Sequence, residues 1–288
     1  MNGVLIAAAV VGILGIIIGI FLGVSGAKFE VKVDERETLV REQLPGNNCG
    51  GCGYAGCDAC AKAIVEGKAP VNACAGCSEE NLAVISSVMG VEAEASEKKV
   101  AYVKCSGDCD KAKTNYVYTG IEDCKIAAQM QGGGAKACSY GCLGYGSCKK
   151  ACPYNAITIV NGLPVVDEEK CVGCGSCVVT CPKQLMALRP VRKRTVTVAC
   201  NSPEKGKPVM DACQAGCIGC TLCTKECPFG AITMNGNIPV IDYEKCKGCG
   251  KCAMKCPKKV IKLVQDEADA DLEERLAQYR EEREGMTN

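Results

Sequence analysis

Residues 217–228 read CIGCTLCTKECP, residues 246–257 read CKGCGKCAMKCP, and residues 171–182 read CVGCGSCVVTCP. Each stretch follows C-x2-C-x2-C-x3-C-P, a pattern typical of loops that hold cubane iron–sulfur clusters. Such a loop wraps three thiolates round one cluster, whereas a disulfide requires no particular run of cysteines. Three complete copies therefore indicate [4Fe-4S] clusters and disfavour a disulfide framework.

The composition agrees with metal chemistry. The chain has 288 residues, of which 27 are cysteine and none is histidine. Without imidazole, His-ligated zinc, His-ligated haem and Ser-His-Asp hydrolysis are excluded. Disulfide-dense chains are usually short and secreted, unlike this one. The formal net charge of +1 provides no basic field, so we expect no nucleic-acid partner.

From residue 138 onward the chain repeats itself with an offset of 75 residues. Eight cysteines of segment 138–181 recur in segment 213–256. We therefore expect an α+β fold with two tandem ferredoxin-like units, each a two-cluster unit, at residues 101–190 and 191–264. Their strands are short, so clusters rather than apolar area are expected to hold each unit together.

The N-terminal stretch at residues 4–24 has no charged side chain and is long enough to cross the hydrocarbon core as a transmembrane helix. A secretory signal peptide is the alternative, but no basic residue precedes the apolar run. Lys28, Lys32 and Arg36 follow it, so the positive-inside rule places the rest of the chain in the cytoplasm. We predict a single-pass anchor at residues 1–26 in the cell inner membrane.

Residues 27–100 are predicted to form a small helical iron–sulfur domain that ends in a linker. Within it, CGGCGYAGC begins a C-x2-C-x4-C-x16-C motif, and the glycines allow tight turns whose N–H groups face sulfur. The four ligands predicted for its cluster are Cys49, Cys52, Cys57 and Cys74. Cys60 and Cys77 are left over, and we interpret them as small buried thiols.

In two-cluster ferredoxins the fourth cysteine of each run ligates the other cluster. This rule predicts three complete ligand sets. They are Cys217, Cys220, Cys223 and Cys256; Cys246, Cys249, Cys252 and Cys227; and Cys171, Cys174, Cys177 and Cys152.

A fourth site in the ferredoxin-like units is irregular, because Tyr145 stands where the second unit has Cys220. Cys138 is the nearest spare cysteine, so we group it with the three that remain. A three-iron cluster or a lost site is the alternative. With the N-terminal motif this makes five clusters, and the fourth set of ligands in the units is Cys138, Cys142, Cys148 and Cys181.

Seven cysteines remain after five clusters. Cys105 and Cys200 precede the two units in similar contexts. A candidate sixth cluster therefore takes Cys105, Cys124, Cys200 and Cys213. The remaining three, which include Cys109, have no assigned role.

The C-terminal residues 265–288 alternate acidic and basic side chains, and Leu272 and Leu276 lie on a narrow apolar stripe. We predict a charged helical tail that is either solvated or docked on another protein of the same complex.

Four thiolates leave a cluster without an open coordination site, so such a cluster transfers electrons and binds no substrate. Gly132, Gly133 and Gly134 lack the strand–loop–helix context of a dinucleotide fingerprint and indicate a turn. The sequence therefore predicts an electron-transfer subunit without catalytic residues of its own.

The order of an apolar N-terminal helix, LPGNNCGGCGYAGC at residues 44–57 and ferredoxin-type runs resembles the B subunit of the Rnf complex. That complex is a membrane-bound ferredoxin:NAD oxidoreductase coupled to sodium or proton translocation. The resemblance implies that the chain relays electrons from soluble ferredoxin to other membrane and peripheral subunits of an ion-translocating oxidoreductase. The tandem units resemble the longer form of the family.

Two other functions remain open. One is a membrane-anchored polyferredoxin that serves a hydrogenase or a quinone-reducing complex, and the other is a zinc-binding or metal-storage scaffold. Ordinary polyferredoxins need only the C-x2-C-x2-C-x3-C-P runs, so the CGGCGYAGC segment favours the Rnf resemblance.

Overall fold

The computed structural model describes residues 2–28, 34–92 and 97–265. The helices are α1 Asn2–Lys28, α2 Glu35–Gln43, α3 Cys57–Val65, α4 Glu79–Met89, α5 Cys124–Ala127, α6 Ser147–Lys150, α7 Ser176–Thr180, α8 Lys207–Ala212, α9 Leu222–Lys225 and α10 Lys251–Met254, with a 3-10 turn at Gln131–Gly133. The strands are β1 Lys99–Val103, β2 Ile157–Val160, β3 Leu163–Val166, β4 Met186–Pro190, β5 Arg194–Val198, β6 Ile232–Asn235, β7 Ile238–Ile241 and β8 Ile261–Gln265. This mixed content of helices and strands confirms the predicted α+β class.

Helix α1 is 27 residues long, and its large apolar side chains between Ile6 and Val24 are exposed. Across the three described ranges, however, no helix qualifies by length and apolar character as a membrane span. The anchor at residues 1–26 is thus a prediction from the sequence that the structure does not establish.

Helices α2, α3 and α4 pack together within the segment predicted as the N-terminal helical domain. Val40, Ile64 and Ile85 are buried where the three helices meet. Asp34 caps α2 by accepting the Arg36 N–H at 3.0 Å, and Ser78 caps α4 by accepting the Asn81 N–H at 3.2 Å. The domain therefore has an apolar core of its own beside its cysteine motif.

Each ferredoxin-like unit contains two antiparallel strand pairs. The first unit has β1 with β4 and β2 with β3, and the second has β5 with β8 and β6 with β7. The register repeats along with the sequence, since Lys99 faces Pro190 and Arg194 faces Gln265. Strand β1 crosses the predicted boundary at residue 100, because its first two residues already pair with β4 of the first unit.

The four short helices α6, α7, α9 and α10 follow the cysteine loops. The residue before each helix has a left-handed φ between 60° and 83°. Glycine occupies three of these positions, and Thr221 occupies the fourth. This turn reverses the chain after the loop, so the cysteines of the loop and of the helix face the same interior. The tail predicted at residues 265–288 lies outside the described residues, apart from its first residue.

Candidate metal centres

All 27 cysteines lie in the described residues, and none of them forms a disulfide bond. Within the described parts of the chain, no three cysteine, aspartate or glutamate side chains converge closely enough to hold a single metal ion. A tetrahedral zinc ion, with Zn–S bonds of about 2.3 Å, draws its sulfurs to within roughly 4 Å of one another. A cubane is a larger body and holds its thiolates farther apart. Most of the thiols of this chain collect in groups of four.

The first group belongs to the N-terminal domain. Its cavity is lined by the four predicted ligands, Cys49, Cys52, Cys57 and Cys74, and also by Cys60 and by Cys174 of the first unit. Cys57 is the first residue of α3, and its N–H donates to Asn48 Oδ1 at 2.8 Å, which holds the loop against the helix. Cys60 lies on the next turn of α3 and is 1% exposed. Burial, with Cys52 nearby, raises the pKa of Cys60 to about 12.

The second group brings Cys152 of the first unit to the loop at residues 171–177. Burial raises the pKa of Cys177 to about 12, and the thiols that add to this effect include Cys171, Cys174 and Cys152. The Ala101 N–H, on β1, donates to Cys171 Sγ at 3.3 Å. This set is the one that the exchange of fourth cysteines predicts.

The second unit forms two groups in the same manner. Around Cys223 lie the thiols of Cys217, Cys220 and Cys256. The other interior is lined by Cys227, Cys246, Cys249 and Cys252. In both groups the fourth thiol comes from the other C-x2-C-x2-C-x3-C-P run, again as the sequence predicts.

A recurring hydrogen bond holds the fourth cysteine of each run. In every case the backbone N–H four residues later donates to its sulfur, at 3.3–3.4 Å. The sulfurs are those of Cys152, Cys181, Cys227 and Cys256, and the donors are Ala156, Leu185, Ala231 and Val260. Such bonds stabilise negative charge on sulfur, so they suit thiolates that ligate an iron cluster.

The irregular site of the first unit differs from the prediction. Its interior is lined by Cys124, Cys142, Cys148 and Cys181, and Cys138 is not among them. Cys124 begins α5, where its N–H donates to Ser147 Oγ at 2.8 Å. The Ser147 hydroxyl in turn donates to Asp123 Oδ2 at 3.0 Å. Cys124 therefore lies beside Cys142, Cys148 and Cys181, whereas the sequence-based prediction groups Cys138 with these three.

A sixth interior lies between the two units. It is lined by Cys105, Cys138, Cys200 and Cys213. Burial raises the pKa of Cys138 to about 11, with the other three thiols adding to the effect. A Cβ placed on Gly107 would lie 3.1 Å from Cys213 Sγ and 3.7 Å from Cys105 Sγ, so the backbone of Gly107 packs closely against these two sulfurs. The set predicted from the sequence has Cys124 in place of Cys138, so the arrangement of these thiols differs from that prediction.

One signal in the sequence points to this sixth set. Cys213 is the counterpart of Cys138 at the 75-residue offset, and Cys105 and Cys200 each stand two residues after the first strand of their unit. The four thiols are thus two pairs of equivalent residues, as expected for a site between two repeats. Cys124 has no counterpart, because it lies in a segment that the second unit lacks.

Three cysteines are not among the four thiols of any group. Cys60 lines the N-terminal cavity beside its group, Cys77 donates from Sγ to the Gln43 carbonyl oxygen at 3.6 Å, and Cys109 is exposed. In all six groups, burial raises the pKa of at least one thiol. Binding of iron therefore has to displace protons from sulfur.

Comparisons with known proteins agree with this chemistry. A family model described as "Putative Fe-S cluster" matches residues 44–75, and one described as "4Fe-4S dicluster domain" matches residues 170–231 and 216–260.

Several curated proteins are similar over nearly the whole chain. In Acetobacterium woodii, the B subunit of the Na(+)-translocating ferredoxin:NAD(+) oxidoreductase complex is 46% identical over 91% of this chain and 78% of its own length. In Methanosarcina acetivorans, the B subunit of the ion-translocating oxidoreductase complex is 42% identical over 91% of this chain and 100% of its own length. In Clostridium ljungdahlii, the B subunit of the proton-translocating ferredoxin:NAD(+) oxidoreductase complex is 42% identical over 93% of this chain and 95% of its own length.

Proposed function

Because the chain belongs to the B-subunit family of ion-translocating ferredoxin:NAD+ oxidoreductases, the Rnf complexes, we propose that it carries electrons through such a complex on a series of [4Fe-4S] clusters. The resemblance drawn from the sequence is confirmed by relatives at 42–46% identity. The observation that carries the proposal is the grouping of the cysteines into six quartets of neighbouring thiols.

We propose six clusters rather than five. The donor sets fit, since each consists of four neighbouring thiols and several of their sulfurs accept backbone N–H groups. The sets are Cys49, Cys52, Cys57 and Cys74; Cys152, Cys171, Cys174 and Cys177; Cys124, Cys142, Cys148 and Cys181; Cys105, Cys138, Cys200 and Cys213; Cys217, Cys220, Cys223 and Cys256; and Cys227, Cys246, Cys249 and Cys252. Fully ligated clusters supply one-electron transfer.

Contacts between neighbouring quartets support a continuous path in the first half of the molecule. Gly51 of the N-terminal motif packs against the Cys174 carbonyl, where a Cβ would come within 1.8 Å of the oxygen. The Cys148 thiol, from the next quartet, lies close enough to Cys177 to raise its pKa, after burial as the main cause. The first three quartets therefore follow one another directly.

The sixth interior joins the two units. The Lys183 ammonium lies near the thiols of Cys138 and Cys181, so it stands between two quartets. On the other side, the Cys217 N–H donates to Cys200 Sγ at 3.4 Å. The quartet of Cys105, Cys138, Cys200 and Cys213 is thus the bridge of the proposed path, and the quartet of Cys246 lies at its far end.

We propose that residues 4–24 anchor the chain in the membrane as a single span, with the remainder in the cytoplasm. Support comes from the uncharged sequence, which as a helix measures about 32 Å, close to the hydrocarbon thickness of a bilayer. The names of the relatives, which are sodium- or proton-translocating complexes, support a membrane location as well. Soluble ferredoxin is the proposed electron donor, and flavin-bearing subunits are the proposed acceptors.

Anaerobic purification from native membranes tests these proposals together. We expect about 24 iron atoms per chain, co-purifying flavin subunits, and NAD+ reduction that depends on reduced ferredoxin. A measured content of about 20 iron atoms per chain would indicate five clusters and contradict the sixth. A chain that purifies without flavin subunits, or with zinc in place of iron, would overturn the assignment of function.

A further inference from the structure

Two arginines contact the last cysteine loop of the chain. Arg192 Nη1 donates to the carbonyl oxygens of Tyr243 at 2.6 Å and Cys246 at 3.2 Å. Arg194 Nη2 donates to the Cys249 carbonyl oxygen at 3.4 Å. A guanidinium is charged at all physiological pH values, so these contacts place fixed positive charge beside the thiols of the loop.

Arg192 lies beside a ligand of the last quartet. Its Nη1 donates to the backbone carbonyl oxygen of Cys246, the first cysteine of this loop. The fixed charge of the guanidinium therefore acts on this ligand set at short range.

A carboxylate from the first unit opposes Arg192. Glu97 Oε2 accepts from Arg192 Nη2 at 3.0 Å, and Glu97 Oε1 accepts from Arg192 Nε. Both side chains are partly exposed, so water screens the pair without cancelling either charge. The guanidinium of Arg192 thus contacts the loop directly, and the carboxylate of Glu97 contacts Arg192.

The repeat indicates that this arrangement is particular to the second unit. Lys99 and Arg194 are the first residues of the equivalent strands β1 and β5. The Lys99 carbonyl oxygen would lie 2.4 Å from a Cβ on Gly173, and the Arg194 carbonyl oxygen would lie 2.4 Å from a Cβ on Gly248. Two residues earlier, the equivalent positions are Glu97 and Arg192. The first unit therefore has a carboxylate where the second has a guanidinium.

We propose that Arg192 is a positioning residue that raises the reduction potential of the cluster held by Cys227, Cys246, Cys249 and Cys252, and that Glu97 partly offsets it. The inference rests on the proposed function of this quartet. Reduction adds one negative charge to a cluster, and a nearby cation stabilises the reduced state, so its removal lowers the potential. A higher potential makes reduction of this last cluster of the path more favourable.

Two variants that break the same ion pair provide the test. In Arg192→Gln the carboxylate is left unpaired, and in Glu97→Gln the guanidinium is left unpaired. We expect the midpoint potential of one cluster to fall in R192Q and to rise in E97Q, measured on the purified holoprotein by redox titration followed with EPR. Arg192→Lys retains the charge and should lie closer to the wild type than R192Q.

Lys68→Gln is the control, because it breaks an exposed ion pair with Glu66 in the N-terminal domain and should leave this potential unchanged. Shifts of the same direction in R192Q and E97Q would indicate a structural role and overturn the inference. If R192Q does not retain its cluster, an unchanged or lowered potential in E97Q still overturns it. A wild-type protein without a cluster at this quartet would instead overturn the proposed function.

Discussion

Single cysteines in this chain are assigned to a site by the backbone that carries them. Asp123 caps α5 by accepting the N–H groups of Lys125 at 2.8 Å and Ile126 at 3.4 Å, and its bond with Ser147 ties α5 to α6. Cys124 thereby faces Cys148 across one interior. Cys138, only four residues before Cys142, lies in a loop that directs it into the neighbouring interior.

Double variants distinguish the two groupings. If Cys124 and Cys142 ligate one cluster, C124S combined with C142S affects the same single cluster as either change alone. C138S combined with C142S should affect two clusters. The measurement is the number of clusters whose EPR or Mössbauer signature changes, together with iron per chain. The reverse pattern, with C124S and C142S additive, would restore the grouping that the spacing of the cysteines predicts.

At the scale of elements, the junction between the N-terminal domain and the first unit depends on close backbone approach. Gly51 contacts the Cys174 carbonyl, and a Cβ on Gly76 would lie 2.3 Å from the Tyr154 hydroxyl. Both contacts join the N-terminal cysteine motif to the first unit. The φ of Gly51 is not in the left-handed region, so backbone conformation does not require glycine there. The space beside the Cys174 carbonyl does require it.

Gly51→Ala should separate the two elements without removing either cluster. The added Cβ would overlap the Cys174 carbonyl, so we expect slower electron transfer between the first two clusters at unchanged iron content. Stopped-flow reduction measures the rate. Gly53→Ala is the matched control: its φ of 87° costs about 1 kcal/mol of strain, but no atom lies within 4 Å of the added Cβ. Equal rates in G51A and wild type would contradict the close junction.

At the scale of the whole molecule, the clusters substitute for a conventional core. The buried side chains of the two units form small groups in which cysteine is a regular member beside Val, Ile and Ala. The helical domain differs, because Val40, Ile64 and Ile85 pack against one another. Cluster binding is therefore expected to supply much of the folding free energy of the units and less of that of the helical domain.

Removal of iron should therefore unfold the molecule unevenly. After anaerobic chelation, we expect amide hydrogen exchange to lose protection in β1 to β8 and to retain part of it in α2, α3 and α4. The same experiment on the holoprotein is the control. Strands that stay protected without iron would show that apolar packing, and not cluster ligation, holds the two units together.

Much of this organisation is readable from sequence because it is local. A C-x2-C-x2-C-x3-C-P run confines three thiolates to one loop by chain length alone, and the repeat at 75 residues predicts two equivalent units and their exchanged fourth ligands. The family follows from the same residues. These features require no knowledge of how distant segments meet.

The remaining features depend on distant segments that only the tertiary structure brings together. A bridge between Ala112 and Cys213 attaches the segment that carries Cys124 to the second unit, and a bridge between Thr114 and Lys136 closes the segment on itself. Nothing in the spacing of that segment predicts these contacts, because it has no counterpart in the repeat. Packing therefore decides where Cys124 and Cys138 lie and that Glu97 pairs with Arg192, whereas the cysteine runs alone already indicate the kind of cluster.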